Sequence, residues 1–147
     1  MLNRCQELDQ ALVPFLAVQL FGGLRPVEAR ALTWAEVKAG HIEVTAAKSK
    51  TRARRLVTIN DTLRAWLAAG GDLPAGNWQR RLARVRGGMG WPHDCLRHSF
   101  VSYAVPVLGV SRTALEAGHS EAVLVRHYRE LVTAEDAGRF WGLRPKV

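Results

Sequence analysis

The sequence has few cysteines, no long apolar run and a shortage of acidic residues. Two cysteines among 147 residues are too few for a disulfide framework and fit a reducing compartment. No apolar stretch reaches the ~20 residues that a membrane-spanning helix needs, and the first residues lack a signal-peptide pattern. Internal repeats, low-complexity segments and long linkers are missing as well. We therefore expect a cytoplasmic protein without a membrane partner.

Positive charge is what the chain has in excess. Lysine and arginine number 21 against 13 acidic residues, a formal net charge of +8 at pH 7. A charge of this size favours nucleic acid as a partner, with an acidic membrane surface second and a merely basic protein as the plain alternative. With 48% hydrophobic residues, a chain of this length can bury one core, so residues 1–147 are expected to form a single domain.

The first quarter of the chain predicts two helices. "CQELDQALVPFLAVQLFGG" carries apolar residues at helical spacing and predicts a helix that stops at Gly22 and Gly23. Next, a short helix is expected over Val27–Leu32, with Arg25 at its start and Pro26 in its first turn. A capping box then follows in "TWAE".

A β-hairpin is expected in "HIEVTAAKSKTRARRLVTIN", which alternates in the manner of strands on both sides of a basic centre. The apolar strand positions are Ile42, Val44, Leu56, Val57 and Ile59. The pattern therefore indicates an antiparallel pair of strands with a cationic tip.

The rest of the chain predicts helices. "NDTLRAWLAAGG" indicates a capped helix closed by glycines, and "NWQRRLARVRGG" a strongly basic helix. A longer helix should open at Pro92 and run until Pro106 disturbs it. Three more helices are expected to reach residue 117, residue 131 and about residue 141, with the N-caps Ser111, Ser120 and Thr133. The fold class is therefore mainly α with a small antiparallel sheet.

Four segments hold residues suited to phosphate chemistry. "GGLRPVEARALTW" contains Arg25, "CLRHSFVSY" contains Arg97 and "AGHS" contains His119, while Tyr128 lies nine residues after His119. In this order and spacing the segments resemble the catalytic domain of the tyrosine recombinases, the phage-integrase family. The resemblance extends from about residue 15 to residue 128.

The resemblance implies the family's DNA breaking-rejoining fold and its reaction. That reaction is site-specific cleavage and rejoining of double-stranded DNA through a 3′-phosphotyrosyl link, as in DNA integration and recombination. Tyr128 would be the nucleophile, while Arg25, Arg97 and His119 would donate hydrogen bonds to the phosphate. A guanidinium group stays charged and binds two phosphate oxygens at once. Such fixed donors can stabilise the charge that grows on the non-bridging oxygens in the transition state. The resemblance therefore implies no metal or cofactor.

The leaving 5′ oxygen needs a proton, which a hairpin lysine supplies in the family. Alignment of "RRLVTI" with the family's second strand puts Lys50 in that position. Lys48 remains an alternative, because a slip of the hairpin register would exchange the two lysines. A further candidate for the proton donor is His93.

The sequence departs from the family pattern in three places. Asp94 stands where the family usually has histidine, with His93 one position earlier, and Asp94 is expected to be a helix N-cap with an orienting role. Ala117 replaces the leucine that commonly precedes the late glycine. The chain also begins almost at the first motif, so we expect a catalytic domain without the family's N-terminal DNA-clamp domain.

Basic residues outside the catalytic set are expected to contact DNA phosphates. They come mainly from "KSKTRARR" and "WQRRLARVR" and are Lys48, Arg52, Arg54, Arg80, Arg81, Arg84 and His98. In the tail, Phe140, Trp141 and Leu143 form an apolar helix face. Such a helix often passes to a neighbouring protomer in the family, so a homo-oligomer on DNA and packing against its own core both stay open.

Three other functions compete with the recombinase hypothesis. A truncated, inactive integrase fragment would bind DNA through the same basic segments without cutting it. A zinc site could use His93, Cys95, His98 and His119, although their spacing matches none of the usual zinc pairs. Finally, a type IB topoisomerase has similar chemistry, but the short chain and the nine-residue spacing favour a recombinase.

Overall fold

The structure is a computed structural model that describes residues 1–49, 52–92, 94–128 and 132–146. Its helices are α1 (Leu2–Leu8), α2 (Val13–Leu20), α3 (Pro26–Ala31), α4 (Asp61–Ala68), α5 (Trp78–Arg86), α6 (Cys95–Leu108), α7 (Val110–Ala117), α8 (Glu121–Tyr128) and α9 (Ala134–Trp141). Single 3₁₀ turns lie at Gln10–Leu12 and Trp34–Glu36. In the ranges that the structure describes, every helix is too short or too polar to span a lipid bilayer.

The strands β1 (His41–Val44) and β2 (Arg55–Thr58) form an antiparallel pair. His41 lies opposite Thr58, and Val44 lies opposite Arg55. The pair packs on α7 through β2. The predicted class, mainly α with a small antiparallel hairpin, is confirmed.

Helix α2 lies at the centre of the core. All of its residues are buried, and it packs against α1, α3, α4 and α6. A helix that is buried on every side has to be surrounded by other elements. The loop from α2 to α3, which carries Gly23 and Arg25, therefore begins at a helix that is held by packing on all sides.

The predicted first helix is divided in two. Its break lies at Asp9, whose extended backbone (φ −161°, ψ 76°) ends α1. Pro14 stands in the first turn of α2, because proline has no N–H and its ring clashes with the carbonyl four residues earlier. The expected stop before Gly22 is confirmed, since α2 ends at Leu20.

Helix α6 differs from its predicted bounds at both ends. It begins after Asp94, which takes a left-handed conformation (φ 55°, ψ 17°) and so separates Pro92 from the helix. At the other end α6 continues through Pro106 and stops before Gly109. The proline removes one backbone hydrogen bond, but packing of α6 against α2, α7, α8 and α9 outweighs that loss.

Two of the three N-caps predicted for α7, α8 and α9 are confirmed. Ser120 and Thr133 accept hydrogen bonds from backbone N–H groups of α8 and α9, as expected. The prediction for Ser111 is wrong, because α7 begins at Val110, directly after its N-cap Gly109, and so includes Ser111. The predicted end of α8 at Leu131 lies outside the described residues.

The tail packs on its own chain in this structure. The Phe140 ring stacks on Tyr103 of α6, with ring centroids 4.2 Å apart, and also meets Phe21 at 5.1 Å. Trp141 Nε1 donates to the carbonyl oxygen of Tyr103 at 2.9 Å. Helix α9 thereby covers the core beside α2 and α6, whereas Leu143 is exposed. Oligomerisation on DNA stays a prediction.

If α9 covers the core in this way, Phe140→Ala should lower the free energy of unfolding by about 3 kcal/mol, because it leaves a cavity between aromatic rings. Urea unfolding measures the change. Leu115→Ala is the matched control, since this residue is 72% exposed, and it should change stability by less than about 0.5 kcal/mol. Equal effects of the two substitutions would contradict the packing described.

Candidate functional site

Arg25 ties the start of α3 to the loop that follows α7. Its extended backbone (φ −69°, ψ 151°) caps α3, and its N–H donates to Glu28 Oε2 at 2.8 Å. Pro26 supplies the fixed φ that suits the first turn of a helix. The guanidinium donates through Nη1 to Glu28 Oε1 at 3.2 Å and through Nη2 to the Gly118 carbonyl at 2.8 Å. Arg25 is therefore held between two distant parts of the chain.

Glu28 is a buried carboxylate shared by two arginines. It is 1% exposed, and Arg55 donates to its two oxygens through Nη1 and Nη2 at 2.8 and 2.6 Å. Burial raises the pKa of Glu28, but the hydrogen bonds from Arg55 and from the Arg25 backbone, with both positive charges, hold it below its ordinary value. Glu28 is therefore ionised at neutral pH and balances one arginine.

Arg97 lies in the first turn of α6 and is 5% exposed. Its Nη1 donates to the carbonyl oxygen of Gly23 at 2.5 Å. Within the described ranges its Nη2 is buried and has no hydrogen-bond partner. Burial, with the charges of Arg25 and Arg55, lowers the pKa of Arg97 to about 10, which leaves it charged at neutral pH. An unused buried donor costs free energy, and a bound anion would supply the acceptor.

Glycine is required where the two arginines meet backbone carbonyls. Gly23 and Gly118 have φ of +67° and +65°, a region that side chains disfavour. A Cβ at Gly23 would lie 2.4 Å from the Phe100 ring, and one at Gly118 would lie 3.4 Å from both Arg25 and Arg55. These glycines therefore let each carbonyl approach its guanidinium.

His119 is half-buried in the loop between α7 and α8. Burial, followed by the charges of Arg97 and Arg25, lowers the pKa of His119 from 6.5 to about 4. Smaller effects in the same direction come from His98 and Arg55. At neutral pH the imidazole is therefore uncharged, and it can donate a hydrogen bond without adding to the positive charge.

Three of the predicted catalytic residues lie together. Arg25 binds the residue directly before His119, and the charge of Arg97 acts strongly on the His119 imidazole. Tyr128 is the last described residue of α8, a helix that packs on α6 and α7, but its side chain is not among those described. Lys50 and His93 lie outside the described residues.

The alternative residues Lys48 and Asp94 are described. Lys48 Nζ donates to Glu36 Oε1 at 2.5 Å, so its charge is paired with a carboxylate. Asp94 stands at the expected N-cap position of α6, but its side chain makes no capping hydrogen bond to this helix. Its negative charge partly opposes the lowering of the Arg97 pKa, which places it in the same electrostatic environment as the arginines.

The residues predicted to contact DNA differ in their surroundings. The exposed ones are Arg52, Arg54, Arg80, Arg84 and His98. Arg54 also pairs with Glu43 at 3.1 Å. Arg81 donates to Asp9 at 2.7 and 2.8 Å and to Asp72 at 3.0 Å, so its charge ties α5 to two other segments. DNA contact stays a prediction for the whole set.

Sequence reasoning missed Arg55 and Glu28 as site residues. Arg55 is the last residue of the basic segment "KSKTRARR". In the structure it belongs to β2, where alternate residues are buried, so that Arg55 and Val57 face the interior. That alternation was a usable signal, because an arginine at an inward strand position needs a buried partner. Glu28, three residues after Arg25, had no comparable signal.

Comparison with known proteins identifies a fold. No family model and no curated protein sequence matches the chain. Among solved structures, the catalytic domain of bacteriophage HP1 integrase is similar to it, with a TM-score of 0.63. The two are 22% identical, and the match covers 86% of this chain and 79% of that one. The chain has the fold of a phage-integrase catalytic domain.

A zinc site needs several ligand side chains close together. Among the residues that the structure describes, no three His, Cys, Asp or Glu side chains are placed to hold a metal ion. His93 is outside that set. Burial raises the pKa of Cys95, which disfavours the thiolate that a metal binds.

His119 predicts a pH dependence of stability. The unfolded chain binds a proton at this residue near pH 6.5 and the folded chain near pH 4. Between these values the unfolded state binds more protons, so acidification favours unfolding. The free energy of unfolding of the wild type should therefore fall, relative to that of His119→Gln, as the pH is lowered through this window. Urea unfolding at several pH values measures it, and parallel curves would contradict the prediction.

Proposed function

We propose that the chain cleaves and rejoins DNA strands through a 3′-phosphotyrosyl intermediate, as a tyrosine recombinase does. The observation that carries the proposal is the closeness of Arg25, Arg97 and His119. Arg25 donates to the Gly118 carbonyl, directly before His119, and the charges of Arg97 and Arg25 add to burial in lowering the pKa of His119. Arg97 adds a buried donor that lacks a partner among the described residues. Arg25 and Arg55 share the single carboxylate of Glu28, while Arg97 donates to a neutral carbonyl. Positive charge is therefore in excess, and the cluster favours an anionic ligand such as a DNA phosphate.

In the proposed reaction the phenolate oxygen of Tyr128 attacks the phosphorus in line with the 5′ oxygen. The bond from phosphorus to the 5′ oxygen breaks, and the 3′ phosphate is joined to the tyrosine. Arg25 and Arg97 donate to the non-bridging oxygens, on which charge grows in the transition state. Rejoining is the reverse, with the 5′ hydroxyl attacking phosphorus and the tyrosine leaving.

The protonation state of His119 suits this reaction. Because its pKa is lowered to about 4, the imidazole would meet the phosphate as a neutral hydrogen-bond donor. A bound phosphate would offset the arginine charges and raise that pKa. In the proposed reaction the Tyr128 phenol, whose ordinary pKa is about 10, would approach the bound phosphate, where these positive charges would favour loss of its proton.

Lys50 is the proposed donor of the proton to the leaving 5′ oxygen. The pairing of Lys48 with Glu36 at 2.5 Å supports this choice over Lys48, since the Lys48 ammonium already donates to a carboxylate and would have to leave it to reach a phosphodiester.

An inactive DNA-binding protein is the second candidate. The exposed arginines Arg80 and Arg84 on α5 favour it, because phosphate contacts of this kind need no active site. In both cases the proposed partner is double-stranded DNA. Covalent capture of DNA separates the two, since a protein that only binds never forms a phosphotyrosyl link.

A pool of nicked duplexes covering the DNA around the gene tests the proposal. The wild-type protein should form an adduct that survives denaturation, because a nick lets the cleaved end diffuse away. Tyr128→Phe should form none, since it lacks the nucleophile. Tyr103→Phe is the matched control and should react as the wild type does, because Tyr103 lies under Phe140. Binding without an adduct across the pool would favour the second candidate.

A substrate with sulfur at the 5′-bridging position tests the role of Lys50. Lys50→Ala should slow cleavage by about 10²–10⁴-fold on the normal substrate. Sulfur leaves as a stable thiolate, so it should restore cleavage to Lys50→Ala. It should not restore Arg25→Ala or Arg97→Ala, which lose donors to the non-bridging oxygens.

Lys48→Ala is the control for this prediction and should cleave the normal substrate at close to the wild-type rate. Loss of activity in Lys48→Ala with rescue by sulfur would move the role to Lys48. Rescue of neither lysine variant would point to another proton donor, with His93 the next candidate.

A further inference from the structure

We infer that Arg55 is a positioning residue for the proposed reaction, which sets Arg25 and the Gly118–His119 turn in place without touching the phosphate. The inference rests on the proposed function. Arg55 lies on β2 and is 9% exposed. All three of its guanidinium nitrogens donate to protein oxygens, two on Glu28 and one on Glu116. Its hydrogen bonds are therefore directed at other site residues.

The first of these connections leads to Arg25 through Glu28. Arg55 binds both carboxylate oxygens, at 2.8 and 2.6 Å, and such a fork fixes the plane of the carboxylate. Glu28 Oε1 also accepts from Arg25 Nη1 at 3.2 Å. The orientation that Arg55 gives to Glu28 therefore decides where one nitrogen of Arg25 lies.

The second connection leads to the turn that carries His119. Arg55 Nε donates at 2.9 Å to the carbonyl oxygen of Glu116, in the last turn of α7. Two residues later the Gly118 carbonyl accepts from Arg25 Nη2 at 2.8 Å. One planar group thus controls both side-chain acceptors of Arg25, the Glu28 carboxylate and the Gly118 carbonyl.

Both arginines lie beside the same glycine, and a second contact joins β2 to α7. A Cβ at Gly118 would lie at van der Waals distance, 3.4 Å, from atoms of both Arg55 and Arg25. On the same strand, Thr58 Oγ1 donates to Glu116 Oε1 at 2.9 Å and ties β2 to α7 a second time. Lysine could not replace Arg55, because an ammonium cannot hold a carboxylate in a fork and also reach the Glu116 carbonyl.

Single-turnover formation of the DNA adduct tests the inference with Arg55→Lys. At saturating DNA its rate constant should fall by about 100-fold, the effect of misplacing a catalytic group by roughly 1 Å. With DNA at saturation the final amount of adduct should stay close to the wild type, because the substitution slows the reaction and does not lower the fraction of protein that reacts. Arg112→Lys is the matched control: Arg112 also binds Glu116, at 3.2 Å, but is 58% exposed, and its rate constant should be unchanged.

A purely structural role for Arg55 gives a different result. It would lower the fraction of protein able to react, and thus the final amount of adduct, while the remaining molecules kept the wild-type rate constant. That outcome would overturn the inference. So would rescue of Arg55→Lys by the 5′-bridging sulfur, because it would place the effect on the leaving-group proton instead of on Arg25.

The double variant Glu28→Gln with Arg55→Gln covers the case in which Arg55→Lys does not fold. Removing both partners of a buried ion pair damages folding far less than removing one. The double variant should show the same loss of rate constant, because Arg25 loses the carboxylate that orients it. A wild-type rate constant in this variant would overturn the inference.

Inorganic phosphate separates failure of this inference from failure of the proposed function. If the wild type forms no adduct, the proposed function fails, but phosphate binding can still be followed through the His119 imidazole signals by NMR. Arg55→Lys should need about 10-fold more phosphate than the wild type and Arg112→Lys, since one misplaced charged hydrogen bond is worth this much. Equal affinities, or no response in the wild type, would overturn the inference.

Discussion

The buried carboxylate of Glu28 is the group on which the rest of the site depends. Removing a carboxylate from water is costly unless opposite charges and hydrogen bonds surround it. Arg25 and Arg55 meet that requirement from two different elements, the start of α3 and the strand β2. The carboxylate therefore joins a helix to a hairpin, and both arginines stay fixed as long as it remains ionised and buried.

Backbone carbonyls complete the arrangement and preserve its charge. Arg25 and Arg97 each donate to a glycine carbonyl, which satisfies a nitrogen without cancelling positive charge. Burial and, after it, neighbouring positive charges lower the pKa of both Arg97 and His119. A second carboxylate in place of either carbonyl would have cancelled part of that positive charge. Because the acceptors that orient Arg25 and Arg97 are neutral carbonyls, the cluster keeps an excess of positive charge. That charge favours binding of an anion.

The basic residues of this chain serve more than one purpose. Arg81 is held by Asp9 and Asp72 and connects α5 to two other segments. Lys48 is held by Glu36. The net charge of +8 counts these paired residues together with exposed ones such as Arg80 and Arg84. Composition therefore indicates the kind of partner, whereas pairing decides which side chains are available to it.

Local interactions determined the parts of the fold that the sequence could predict. The start of α3 at Pro26, the hairpin and the caps at Ser120 and Thr133 all depend on neighbours within a few residues or on strand alternation. The break at Asp9 was missed, although Pro14 signalled it. The order of the four motifs carried the family resemblance, which the integrase-like fold supports.

Tertiary structure decided which residues meet at the site. Arg25 and Gly118 are 93 positions apart, Arg97 and Gly23 are 74 apart, and Arg55 and Glu116 are 61 apart. No local periodicity encodes such pairs, because they form only when α6, α7 and the hairpin pack around α2 and α3. The sequence by itself determined the chemical groups and their order. Packing determined that Arg55 and Glu28 join them, because the partners of these two residues lie on other elements.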